Sequence, residues 1–424
     1  MAGSDDHAED REALRPKQSA DEERLAPLAA PLVPRYADGG YAESEIAARR
    51  HWLEERTGAA LERVGRSAIP GPSVRGNVEN PIGAAQVPLG VAGPLLIRGE
   101  HAHGVFYVPL ATTEGALVRS YERGAVALTR AGGAVTRVLS GENRVCPSFR
   151  FANIEDALAF PERVAALLPE LRAAVAATTR HGRLLAVDCQ VVGAEVIASF
   201  RYDTGDAQGM NLATRATDAA CRLLLERGLA RDFLIFSGFD SEKRASGAAL
   251  AGGKGKRVVA WARLPRRVVA AVLRTTPEAI AETWRRTVVG NLQAGALGYC
   301  GQYANGLAAL FIACGQDVAN VVNSTMGITV LAVGEDGALE ASVTLSSLTV
   351  ATVGGGTAVG TAPECLSMLD CAGAGKARKL AEIVAATLLA GELSMGAAIA
   401  TGELVAAHEQ YGRNRPPEDR GAAG

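Results

Sequence analysis

The chain has 424 residues, 48% of them apolar and 21% charged, with 44 lysines and arginines against 46 acidic residues and a formal charge of −2. That length supports two or three domains around real hydrophobic cores. The near-neutral balance argues against a nucleic-acid surface, which needs clustered excess positive charge. Seven cysteines with no CxxC pair suggest neither a zinc knuckle nor a disulfide framework. The acidic start carries no apolar signal segment, and the apolar stretches are punctuated by polar residues, so the expectation is a cytoplasmic protein without a membrane anchor.

Residues 1–25 read as a disordered acidic tail and 26–78 as a helical N-terminal region, with helical periodicity over 41–65. ENPIGAAQVPLGVAGPLLI, at 79–97, is strand-and-turn material opening the first part of a large domain, 79–145. ATTEGALVRSYERGAVALTRAGG, at 111–133, predicts a helix capped by threonines and closed by glycines, with Glu114 near its N-terminus. Helix starts favour acidic residues by dipole alone, so Glu114 also has a purely structural reading.

From about 134 to 235 the pattern changes to strand, helix over 154–178, two paired strands and a further helix. This α+β unit predicts a small inserted domain at 146–236. A connecting loop and second part of the large domain, 237–415, follow. They hold the strand KRVVAWARL, a helix around TPEAIAETWRR and a glycine-bearing helix at 288–315. The strands GITVLAV and LEASVTLSSLTVATV precede the turn GGGT at 354–357. Two alanine-rich helices, about 376–393 and 396–410, lead to a flexible tail at 416–424.

Among candidate chemical groups, Lys243 lies in the polar segment SGFDSEKRASG, where a lysine can stabilise charge developing on a carbonyl oxygen. A surface loop is its ordinary reading, and neighbouring Glu242 is a competing partner for its charge. Asp317 sits between GLAALFIACGQ and VANVV, so a carboxylate in buried surroundings is expected there, with a helix-end cap as the alternative. His408, beyond ATGELVAA, has the chemistry of an acid near neutral pH. HxH at 101–103 lacks the accompanying ligands of a metal site. GDAQGMN, at 205–211, is a glycine turn entering a helix, where backbone amides can receive a phosphate or ribose oxygen. Arg180 in TTRHGR adds a positive patch.

Taken in order, ENPIGAAQVPLGVAGPL, ATTEGALV, GDAQGMN, SEKR, CGQDVANVV, TVGGGT and LAGELSMGAAIATGELVAAH resemble the hydroxymethylglutaryl-CoA reductase family over about residues 45–415, nearer its eukaryotic and archaeal branch. The resemblance implies an α+β fold. Its parts are a helical N-terminal region, a large mixed substrate domain and an inserted ferredoxin-like nicotinamide-binding domain. It further implies homodimers with shared active sites, a higher oligomer being left open, and two hydride transfers that reduce an acyl-CoA through a hemithioacetal and an aldehyde. Its catalytic positions match Glu114, Lys243, Asp317 and His408 here. Lys243 then stabilises the carbonyl oxygen, Glu114 exchanges a proton with it, Asp317 tunes both, and His408 protonates the departing thiolate.

For the cofactor the resemblance points to Thr179, Arg180, Asp206, Gln208, Gly209, Met210, Asn211 and Arg413, with Gln208 in place of a methionine. Arg180 favours NADPH, with NADH left open, and no metal is implied. For the substrate it points to Glu79, Arg144, Ser237, Arg244, Arg285 and Asn305. This chain departs from the family there. Val145 stands where an arginine grips the substrate carboxylate, with Arg144 one residue away; Arg244 and Arg285 replace lysines, and Gln302 and Tyr303 replace a histidine and a small residue. The leading expectation is therefore reduction of hydroxymethylglutaryl-CoA to mevalonate. A different acyl thioester, or a non-catalytic descendant, remains as an alternative.

Overall fold

A computed structural model describes residues 31–36, 38–179 and 181–403. The chain clusters into two compact units, the first ending at Ala84 and the second beginning at Ala85.

In the first unit, helix α1 (Glu43–Thr57) starts where the Glu45 carboxylate accepts the Ala42 amide at 3.1 Å, and it stops at Gly58 in the left-handed region, φ +69°. Arg49 of α1 is fully buried. Its guanidinium donates from Nε and Nη1 to the carbonyls of Pro34, Gly40 and Pro81, which offsets part of the cost of burying the charge.

The second unit opens with the antiparallel hairpin of β1 (Leu89–Arg98) and β2 (His103–Ala111), followed by α2 (Leu117–Arg130). Next come β3 (Val135–Val145), β4 (Ser148–Arg150), α3 (Ile154–Ala166), α4 (Leu168–Thr178), β5 (Arg183–Val192) and β6 (Glu195–Asp203). After α5 (Met210–Glu226) and β7 (Asp232–Leu234) the chain forms β8 (Gly255–Leu264), α6 (Pro277–Gln293), α7 (Tyr303–Ala313), β9 (Gly327–Val333), β10 (Leu339–Leu348) and α8 (Ala377–Thr401). An eight-stranded sheet runs β7-β4-β6-β3-β8-β10-β9, with β5 also paired to β6.

Two hydrophobic cores lie along this sheet. One gathers Phe149, Phe160, Leu171, Phe200, Tyr202 and Leu224 beneath α3, α4 and α5. The other surrounds α8 with residues such as Leu128, Val258, Phe311, Leu345 and Leu389. Strand β3 serves both: Val135–Glu142 pair with β8, and Asn143–Val145 cross over to pair with β6. The switch of partner falls between Glu142 and Asn143.

Helix α8 is apolar enough in length and composition to cross a membrane, but 83% of its most apolar window is buried inside the protein. A helix apolar all round belongs in a core, and α8 is this fold's central one.

Three sequence expectations are corrected. The glycine-bearing helix at 288–315 is two helices, because Gly295 adopts φ +67° and the chain runs irregularly until Tyr303. The C-terminal pair is, as far as residue 401, one continuous helix: Gly391 does not break it but lets it approach Tyr121, whose ring a Cβ there would meet at 2.6 Å. The helix at 154–178 divides at Leu167, where Pro169 starts a second helix.

Candidate active site

Glu114 does not begin a helix. The chain leaves β2, Thr112 Oγ1 accepts the Glu114 amide at 3.0 Å, and Ala116 turns through φ +66° before α2 starts at Leu117. The threonines therefore shape a loop rather than a cap, and the loop leaves the Glu114 carboxylate exposed. Its partner is Asn305 in the first turn of α7, whose Nδ2 donates to Glu114 Oε2 at 2.7 Å.

Lys243 occupies the loop between β7 and β8 at φ +55°, with Ser241 at +59°. Left-handed conformations are costly for residues with a Cβ and persist where surroundings enforce them. Here the Lys243 amide donates to Asn323 Oδ1 at 3.3 Å and the Glu242 amide to Asp240 Oδ1 at 2.9 Å. Lys243 Nζ stands 2.8 Å from Asp317 Oδ2. The hydrogen bond to Asp317, then its charge, holds the lysine above its ordinary pKa against the opposing effect of partial burial.

The Asp317 side chain is 38% exposed, contrary to the burial expected from its apolar flanks. It stands just past the end of α7, whose apolar residues point into the core while the chain turns outward at Gly315, φ +62°. Asp317 also accepts the Ala319 amide at 3.1 Å, so it is both the cap of a short turn and the partner of Lys243. Among the described residues no hydrogen bond or ion pair joins the Glu114–Asn305 pair to the Lys243–Asp317 pair. His408 lies outside the described residues.

The GDAQGMN segment forms the β6–α5 turn. Gly209 takes φ +72° as the N-cap of α5, and a Cβ there would meet Thr204 at 2.8 Å. No side chain caps the start of α5, and around Gly205 a Cβ would meet nothing within 4 Å. Free helix-start amides beside open glycine backbone suit a phosphate or ribose oxygen.

Asp206, however, is engaged elsewhere: its carboxylate accepts the amides of Gly375 and Ala377 at 2.6 and 3.0 Å, tying the turn to the start of α8. Gln208 accepts from Asn143 Nδ2 at 2.6 Å through its carbonyl and donates to Glu242 through its side chain at 3.3 Å. Met210 Sδ accepts from Lys254 at 3.1 Å, and Asn211 is exposed. Thr179 Oγ1 accepts the amides of His181 and Gly182 at 3.1 and 3.3 Å. Arg180 and Arg413 lie outside the described residues.

On the substrate side, Val145 is fully buried in the core beneath α3–α5. Alternation along β3 therefore sends Arg144 to the opposite face. Its guanidinium donates to the Gly252 carbonyl, its Nε is buried without a partner, and it lines a cleft of about 390 Å³ with Glu142, Ser199, Arg201 and Phe239. Arg201 is occupied there, holding both oxygens of Glu142 at 2.7 and 2.8 Å and lowering that carboxyl's pKa.

Ser237 Oγ donates to the Cys146 carbonyl at 2.6 Å, while Arg244 folds back over Gly238. Arg285 is spent on Glu282 along the exposed face of α6, and Glu79 is an exposed residue of the first unit.

Sequence reasoning missed two buried lysines in the run GGKGK. Lys254 is 0% exposed and ion-paired to Glu242. Lys256 donates to the Val350 carbonyl at 3.1 Å, and burial pushes its pKa down to about 8. The available signal was two lysines placed among glycines at the entry to an apolar strand.

The hydroxymethylglutaryl-coenzyme A reductase family profile matches residues 45–413. The chain is 44% identical over 374 residues to a 3-hydroxy-3-methylglutaryl-coenzyme A reductase of Pyrococcus abyssi, covering 86% of this chain and 92% of that one. It is 41% identical to the Methanothermobacter thermautotrophicus protein of that name, covering 88% and 94%. A Zea mays relative of the same name is 37% identical, with 93% of this chain and 70% of that one covered. Among solved structures, the fold is similar to the class II 3-hydroxy-3-methylglutaryl-CoA reductase of Streptococcus pneumoniae bound to NADPH in open conformations. The TM-score is 0.65 at 19% identity, over 86% of this chain and 100% of that one. These likenesses and the α+β architecture define one class, and the chain belongs to the hydroxymethylglutaryl-coenzyme A reductase family.

Proposed function

We propose that this chain reduces hydroxymethylglutaryl-CoA with two equivalents of NADPH, releasing mevalonate and free CoA. The observation that carries the reading is the Lys243–Asp317 pair, a partly exposed ammonium fixed at 2.8 Å on a carboxylate that is itself held by a backbone amide. A cation so oriented stabilises negative charge as it develops on a carbonyl oxygen. NADPH, when bound, supplies the hydride of each reduction. Glu114, oriented by Asn305, exchanges a proton with the substrate oxygen during reduction of the aldehyde. His408 protonates the departing CoA thiolate. The uncapped start of α5, with Gly205, Gln208, Gly209, Met210 and Asn211, receives the dinucleotide. Asp206 holds that turn in place rather than offering a free carboxylate, and Thr179 and Arg180 take the adenosine end together with Arg413.

A homodimer with shared active sites, as the family resemblance implies, belongs to the same proposal. So do a cytoplasmic location and a small nicotinamide-binding domain at 146–236. The test is stoichiometric: purified full-length protein given hydroxymethylglutaryl-CoA must oxidise two NADPH per CoA thiol released. Folded protein that consumes no NADPH under these conditions rejects the proposal. Running NADH beside NADPH settles the cofactor preference.

A second reading, a different acyl group on the same chemistry, is favoured by one observation. Val145 is committed to a core, so any carboxylate grip at β3 falls to Arg144 and its cleft. A misplaced bidentate contact redirects specificity. A panel of acyl-CoA thioesters, each scored by kcat/KM, separates the readings, and preference for hydroxymethylglutaryl-CoA over every other thioester rejects the second.

A further inference from the structure

Two lysines and two carboxylates meet near the loop that carries Lys243, and they are paired in a particular way. Lys243 takes Asp317 at 2.8 Å, although Glu242 is its neighbour in the chain. Glu242 instead pairs with Lys254, which is 0% exposed. An ion pair whose cation is fully buried is a poor stabilising device, because desolvation offsets its attraction, so it asks for another reason.

The surroundings of the buried pair supply one. Lys254 reaches Glu242 from a turn in which Gly253 and Gly255 take φ +98° and +72°. Its Nζ also donates to Met210 Sδ at 3.1 Å, and Gln208 Nε2 donates to Glu242 Oε1 at 3.3 Å. Glu242 is thus held inward by Lys254 and Gln208, while Lys243 stays at the surface with 44% of its side chain exposed.

We infer that Lys254 is a positioning residue for Lys243: by engaging Glu242 it withholds the nearest competing carboxylate and leaves the Lys243 ammonium to Asp317. This rests on the proposed role of Lys243 in carbonyl stabilisation. Without Lys254, Glu242 is a half-buried carboxylate lacking a cation, and Lys243 is the nearest cation along the chain. The swap draws the ammonium away from the reacting carbonyl. Because Gln208 and Met210 touch the same pair, the segment proposed to bind the dinucleotide sits on the network that aims the lysine.

The experiment compares Lys254→Met with Lys254→Met/Glu242→Gln in the full-length protein. The single variant is expected to lose about tenfold or more in kcat, the scale of a misaligned oxyanion donor. The double variant, lacking the competing carboxylate, is expected to regain most of that loss, which a merely structural role for Lys254 does not predict. A folded single variant with wild-type kcat overturns the inference, as does a double variant no better than the single. Should Lys254→Met fail to fold, the double variant, which removes both charges of the pair, carries the test alone: near wild-type kcat supports the inference, and a tenfold loss or more overturns it.

If the wild-type protein oxidises no NADPH with hydroxymethylglutaryl-CoA, the functional reading fails separately. Crystal structures still decide the pairing. Lys243 on Glu242 in Lys254→Met (in Lys254→Gln if the Met variant does not fold) supports it, and Lys243 still on Asp317 overturns it.

Discussion

Lys243 Nζ lies 2.8 Å from one oxygen of Asp317 while the other oxygen accepts the Ala319 amide at 3.1 Å, so the aspartate aims the lysine from a point fixed in the backbone. Asp317→Asn keeps the shape and removes the charge. Both groups are partly exposed, so the fold is expected to survive. The kcat for NADPH-dependent thioester reduction should fall by about 10²–10³, the usual cost of losing a preorganised electrostatic contact. The hydrogen bond to Asp317 is also the largest cause of the raised Lys243 pKa. In Asp317→Asn that pKa drops, so the alkaline loss of activity should begin at lower pH than in the wild type. A variant whose pH–rate profile overlays the wild type's contradicts this account.

Asn305 offers a second test. Its Nδ2 donates to Glu114 Oε2 at 2.7 Å, orienting the proposed proton donor. Asn305→Ala removes that donor, and Asn305→Asp replaces it with a like charge facing the same carboxylate. Kcat should therefore fall in the order wild type, Ala, Asp, the first step by about tenfold, within the range of one general acid–base contribution. Asp matching Ala would show that electrostatics at this pair does not matter.

How much of this was legible beforehand depended on the kind of signal. Strand β8 could be read directly, because KRVVAWARL alternates as a strand buried on one face does, and its burial alternates with it. The start of α2 could not, because threonines fit a cap and a loop equally well, and the Ala116 turn at φ +66° leaves no mark in the sequence. The continuity of α8 was hidden as well: the sequence leaves open a break at 394–395, and only the packed structure shows one helix there, with Gly391 letting Tyr121 approach. Among candidate site residues, Lys243 and Asp317 stand 2.8 Å apart, and no sequence spacing states that distance. Lys254 was invisible because its partner, Glu242, looked like a partner for Lys243.

Gly209 links the cofactor segment to backbone geometry. It sits at φ +72°, and an added Cβ would press on Thr204 at 2.8 Å. Gly209→Ala combines left-handed strain with a clash, so a loss of about 1–3 kcal/mol in unfolding free energy is expected by urea denaturation. KM for NADPH should rise in the same variant because the α5 amides shift. Unchanged stability and unchanged KM together would mean that the turn does not depend on this conformation.

Lys256 carries a pH signature of its own. Burial lowers its pKa from the ordinary 10.5 to about 8 in the folded protein. Below about 8 both folded and unfolded chains hold the proton, and the folded state bears the full cost of a buried ammonium. Between about 8 and 10.5 the unfolded chain binds more proton, so this residue's contribution to stability rises with pH. The contribution is fully present above 10.5 and is lost as pH falls through 8. Lys256→Met, which has no such proton, should lack this rise. The Tm of wild type minus that of the variant should therefore increase from pH 7 to pH 10 in paired melts, and a difference that stays flat or shrinks contradicts the assigned burial.

Glu392 lies at the centre of α8 and tests whether a buried carboxylate organises the loop ahead of α7. Its oxygens accept the Gly301 amide at 2.9 Å, the Gln302 amide at 2.8 Å and the Thr329 hydroxyl at 2.8 Å. Burial raises its pKa and these three donors oppose the rise. Glu392→Leu removes both acceptor oxygens and leaves the Gly301 and Gln302 amides without this partner. The cost is about 1–3 kcal/mol per buried donor left unpaired. Urea melts should show that loss without a change in m, and hydrogen exchange should speed at Gly301 and Gln302 before the rest of α7. Protection at those two amides equal to the wild type's would remove Glu392 from this role and leave α7 held by the Tyr121 hydroxyl on the Gln302 carbonyl, 2.8 Å away.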